Sequence, residues 1–133
     1  MASVERILQA ITSLSAVEGV EFDPKSLAED VVGVAAALPE EGEFEAAIAA
    51  TVRMLGLIVA ERVDVSALSE DYEGWECCHF QPHTGCGEKA TMRIMLTRTE
   101  GAVRVRGFGD RRLPDDFYRR MAAVGRPDLQ GHD

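Results

Sequence analysis

Cys77-Cys78-His79-Phe80-Gln81-Pro82-His83-Thr84-Gly85-Cys86-Gly87 holds all three cysteines and two of the three histidines of the chain. It is also where the hydrophobic pattern changes. Before it, apolar residues recur every three to four positions; after it, they alternate. Those are the repeats of a buried helix face and of a strand with two different faces. The stretch therefore divides a helical half from a strand half.

Toward the N-terminus, three helices are expected. Ser3 suits an N-cap, and Val4, Ile7, Leu8, Ile11, Leu14 and Val17 then form one stripe that Gly19 can stop. Asp23 and Pro24 open a second helix, with Phe22 placed to pack on Leu27. Its stripe is Leu27, Val31, Val34, Ala35 and Leu38, and Pro39 closes it. A third follows the acidic turn at 40–43. Phe44, Ile48, Val52, Leu55, Val59 and Val63 mark one face of it, and Ala46, Ala49, Ala50 and Gly56 admit a close neighbour. Its apolar window at 46–60 spans fifteen residues with Arg53 near the middle. A bilayer span needs about twenty, so this reads as a core helix.

Residues 64–91 read as a connection rich in cysteine and histidine, with a short helical turn around 66–70 and Trp75 as a cap over the core edge. Beyond Gly87, Met92, Ile94 and Leu96 alternate with Arg93, Met95 and Thr97. Across the link Thr99-Glu100-Gly101, Val103 and Val105 alternate with Arg104 and Arg106. That predicts an antiparallel hairpin with one apolar and one basic face, ended by Gly107 and Gly109. A last helix is expected over 114–124, with Asp115 and Asp116 complementing its dipole. The expected fold is a single α+β domain over residues 1–133: three N-terminal helices (1–63), a Cys/His-rich connection (64–91), and an antiparallel β-hairpin with a C-terminal helix packed across it (92–133).

Charge narrows the functional classes. Residues 1–76 carry 4 Lys/Arg against 16 Asp/Glu, whereas residues 77–133 carry 10 against 7. An acidic total speaks against nucleic-acid binding, which needs clustered positive charge. The asymmetry suggests a basic hairpin lying against acidic helices, in the same chain or in a second copy. Three helices followed by a hairpin have the element order of a winged helix, but the third helix lacks the basic, amide-bearing face that reads bases. Three cysteines are an odd number, which disfavours a closed disulfide framework and favours a reducing, cytoplasmic setting. No secretory signal or membrane span is expected.

Three chemistries compete for the central stretch. The first is a structural zinc held by Cys77 or Cys78, His79, His83 and Cys86. Thiolate and imidazole suit zinc, and glycines beside Cys86 let backbone amides face the metal-bound thiolate. Neighbours in an extended chain point to opposite sides, so Cys77 pairs with His79 more readily than with Cys78. The second is packing alone, with the cysteines as small buried hydrophobes. The third is thiol chemistry at Cys86, with His79 or His83 as the base. Against it, Glu76 and Glu88 flank the stretch, and negative charge raises a thiol pKa. Arg93, Arg98, Arg104 and Arg106 offer either an anion-binding face or a salt-bridged sheet surface. The leading expectation is a small acidic interaction or accessory protein, associating with a protein partner or with itself through the third helix or the hairpin edge. Its alternative is a thiol-dependent enzyme or redox protein.

Overall fold

The computed structural model describes residues 2–63, 65–67, 74–81 and 92–110. Among them are three helices, α1 (Val4–Ser15), α2 (Pro24–Ala37) and α3 (Glu41–Val59). Five strands accompany them: β1 (Val20–Phe22), β2 (Ser66–Ala67), β3 (Glu76–Phe80), β4 (Met92–Thr99) and β5 (Ala102–Asp110). The chain is α+β as expected, but the sheet is larger than a hairpin and the fold class is corrected accordingly. Its order is β1-β5-β4-β3-β2, with β1 parallel to β5 and every other pair antiparallel. The helix expected over 114–124 lies outside the described residues; among these, α1 precedes β1, and α2 and α3 lie between β1 and β2.

The caps follow the sequence. Ser3 Oγ accepts from the Arg6 amide at 3.2 Å, and Asp23 Oδ2 accepts from the Ser26 amide at 3.0 Å, with Pro24 at the first helical position. Each oxygen satisfies one of the amides that a helix start leaves without an internal partner. α1 ends at Ser15, before Gly19. Gly19 instead turns the chain into β1 at φ +84°, and its carbonyl accepts from the Val103 amide at 2.8 Å. A Cβ there would stand 2.9 Å from Val59 Cγ1, so glycine is needed for space as well as for conformation.

The helices cover one face of the sheet. Leu27, Val31, Val34 and Ala35 of α2, and Leu38 at its C-cap, are all buried, as their spacing predicts. They share a core with Leu14, Phe44, Leu55 and Ile58, and with Cys78, Phe80, Ile94, Leu96, Val105 and Phe108 from the strands. Beyond the short β1, helix α2 supplies a partner to β5: the Phe108 amide donates to Asp30 Oδ2 at 3.2 Å. A buried carboxylate thus takes the place of a neighbouring strand.

Two helix readings need rotation. On α3 the buried face runs through Phe44, Ala47, Ile48, Thr51, Leu55 and Ile58, while Val52 is half-buried and Val59 exposed. On α1 only Ala10 and Leu14 are buried; Val4 and Leu8 are 72% and 57% exposed. Both helices carry more apolar circumference than their neighbours cover.

The hairpin is where alternation predicts it, with Gly101 at φ +82° in its turn. β5 runs through Gly107 and Gly109 to Asp110 and does not end at them. A register shift between Met95 and Leu96 makes Arg106 the extra residue of a bulge, between the pairs Leu96↔Val105 and Met95↔Gly107. Residues 66 and 67 form β2, paired with Cys77 and Glu76, in place of the helical turn expected there.

Candidate functional site

The central stretch begins as a strand. β3 pairs Cys77 with Met95, Cys78 with Ile94 and His79 with Arg93. Strand alternation sends Cys78 and Phe80 into the helical core and puts Cys77 and His79 on the opposite face. The expected sharing of one side by Cys77 and His79 is therefore built. Zinc binding, by contrast, finds no support among the described residues. Among the described residues no three His, Cys, Asp or Glu side chains come together as metal ligands. Cys77 and Cys78 are separated by the sheet itself, both are 1% exposed, and His83 and Cys86 lie outside the described residues. Zinc binding is therefore withdrawn as a description of this protein among its described residues; the full ligand set of Cys77 or Cys78, His79, His83 and Cys86 reaches beyond them.

Thiol chemistry finds no support at the described cysteines. Burial pushes the Cys78 thiol up to about 11, and the adjacent Cys77 adds to the rise. A nucleophilic cysteine needs the opposite shift, toward the thiolate. Cys86, the candidate nucleophile, lies outside the described residues, as does His83; His79 is exposed on its strand. What Cys77 and Cys78 supply is packing volume. The signal was present in the sequence: Cys77, Cys78 and Phe80 make a short apolar run once cysteine is read as a hydrophobe.

The arginines do not form an open anion-binding face. Arg93 and Arg106 are 6% and 7% exposed, and Met95 and Thr97 beside them on the same side are buried as well. Arg93 Nη1 donates to the Met92 carbonyl at 3.3 Å, and the Arg106 guanidinium lies 4.1 Å from the centre of the Trp75 ring. Trp75 is thus a cation–π platform for the bulge residue. Arg98 and Arg104 pair within the sheet, with Glu76 at 2.7 Å and Glu21 at 3.0 Å. The basic side of the hairpin faces away from the acidic helices, because its apolar side is the one that packs on them.

Unsatisfied apolar surface lies on the helices instead. Val4 and Leu8 stand one turn apart on the outer flank of α1, among Glu5, Gln9, Thr12 and Ser13. On the other flank, α1 and α3 leave a groove of about 380 Å³. Arg6, Gln9, Ala10 and Ser13 form one wall, and Phe44, Glu45, Ile48, Ala49 and Val52 the other. Arg6 closes one end through ion pairs to Glu45 and, at 3.9 Å, to Glu41. Leu8 and Ala10 are two residues apart, hence on different sides of the helix, and Gln9 and Ser13 line both surfaces, so the two adjoin along that border. No helix among the described residues is long and apolar enough to cross a membrane. Compared with family models, curated proteins and solved structures, the chain matches none.

Proposed function

We propose that this protein is a small interaction module that self-associates through the outer flank of α1. The observation that carries the reading is the exposure of Val4 and Leu8, 72% and 57%, one turn apart on one helix. Folding leaves these side chains in water, and covering them against apolar surface gains roughly 25 cal/mol per Å² buried. The expected contact at the third helix moves to α1, since α3 spends most of its apolar circumference on the core and on the groove wall.

Charge favours a second copy as the occupant. The chain carries a net charge of −9, so two copies repel wherever their acidic surfaces meet. The outer flank of α1 presents one carboxylate, Glu5, among Val4, Leu8, Gln9, Thr12 and Ser13. A two-fold contact sets the same patch against itself, so a patch of low charge density is where two acidic bodies meet at least cost. Equilibrium sedimentation across concentration tests this. The expected result is a mass rising toward two chains, promoted by added salt, and returned to one chain by Leu8→Glu. A single-chain mass at every concentration would sink the proposal, as would an association that Leu8→Glu leaves intact.

A further inference from the structure

We infer that the groove between α1 and α3 receives an amphipathic, basic segment of another protein. The groove adjoins the outer flank of α1 along Gln9 and Ser13, and its apolar lining is made of other residues. Its apolar lining is Ala10, Phe44, Ile48, Ala49 and Val52, beside the polar Arg6, Gln9, Ser13 and Glu45, in a channel bounded by two helices. That is the shape into which an amphipathic helix lays apolar side chains spaced a turn apart.

The charge around the channel selects the occupant. Glu40, Glu41, Glu43 and Glu45 are all exposed at the Phe44 end, where the N-terminus of α3 begins. Arg6 is the one cation lining the channel, and it is already engaged by Glu41 and Glu45. Residues 1–63 as a whole carry 4 Lys/Arg against 11 Asp/Glu. Lys or Arg beside the apolar anchors therefore meets opposite charge at the channel end and a favourable long-range field on approach. A second copy fits this groove poorly, because its own helical layer is acidic. Nucleic acid is repelled for the same reason.

The test uses the full chain and two labelled synthetic peptides of about four helical turns. One has leucine on one face and lysine on the other; its counterpart has glutamate in place of lysine. Fluorescence anisotropy is expected to give binding at least about tenfold tighter for the leucine–lysine peptide, weakening as salt rises. Ala49→Trp fills the groove at an exposed position without altering charge, and should weaken that binding by about tenfold or more. Reversal of the rim by E41K/E43K should do the same through charge. Leu8→Glu, across the border of Gln9 and Ser13, should abolish self-association without weakening peptide binding, which keeps the two surfaces distinguishable. The inference is overturned by no binding of the leucine–lysine peptide or by equal binding of the two peptides. Binding indifferent to Ala49→Trp overturns it too, since that would be diffuse attraction to an acidic surface.

Discussion

α1 and α2 carry apolar stripes of similar quality and meet different fates. Every residue read as core on α2 is buried, whereas α1 buries Leu14 and leaves Val4 and Leu8 in solvent. α2 lies between the sheet and its sister helices, so its stripe is covered along its length. α1 packs on α2, α3 and the short β1, and nothing among the described residues covers its outer flank. An apolar stripe records what a helix is able to bury, and the number of its neighbours decides how much is buried within the chain.

That contrast is open to direct attack. The largest expected effect is at Leu27, 3% exposed in α2: Leu27→Ala should cost about 2–5 kcal/mol in denaturant unfolding, through lost transfer energy and the cavity left behind. Leu8→Ala, the same deletion on α1, should stay within about 0.5 kcal/mol at concentrations where the protein is a single chain. Equal costs would mean that Leu8 is covered inside the fold and the contrast is false. Next in size is Asp30, which sharpens the comparison by asking whether α2 also serves as a strand neighbour. Asp30→Ala leaves the buried Phe108 amide without this acceptor and should cost about 1–3 kcal/mol. Amide exchange at Phe108 should accelerate in the same variant; an unchanged rate would mean that another group holds that amide.

The smallest effect is a pH signature at Cys78. Its folded pKa, about 11, lies above the ordinary 9.0, so the folded state holds the proton more tightly than the unfolded chain does. Below 9.0 the thiol is protonated in both states and contributes no slope. Between 9.0 and about 11 the unfolded chain loses its proton first, and stability falls as pH rises. Cys78→Ala should remove that component of the alkaline decline, read as the difference between the two denaturation midpoints across this range. Parallel curves for the two proteins would show that Cys78 lies in water and is no part of the core.

Much of the fold was legible from local pattern. The caps at Ser3 and Asp23, the α2 stripe and the alternation of Met92, Ile94 and Leu96 depend on neighbours in sequence, and all stand where the residues place them. β1 and β3 escaped for different reasons. Three residues at 20–22 are too few to display alternation, and β1 exists because β5 offers an edge to pair with. In β3 the residue types suggested metal or nucleophile chemistry, and that masked their burial. The candidate surface on α1 was legible as a stripe but not as a surface, since exposure belongs to the assembled chain. The groove beside it is lined from two helices by residues more than thirty positions apart in the chain, a distance no local pattern spans.

By itself the sequence determined the three helices of residues 1–63, where two of them begin, which residues of the hairpin face the core, and the acidity of the helical half. These follow from backbone propensity, side-chain periodicity and charge, which act over a few residues. Only the tertiary structure decided that the hairpin becomes the centre of a five-stranded mixed sheet, that Cys77 and Cys78 are packed on opposite faces, and that the arginines turn away from the acidic helices. Strand pairing and helix coverage depend on which distant segment arrives as a neighbour. The side left uncovered is therefore a property of the whole fold.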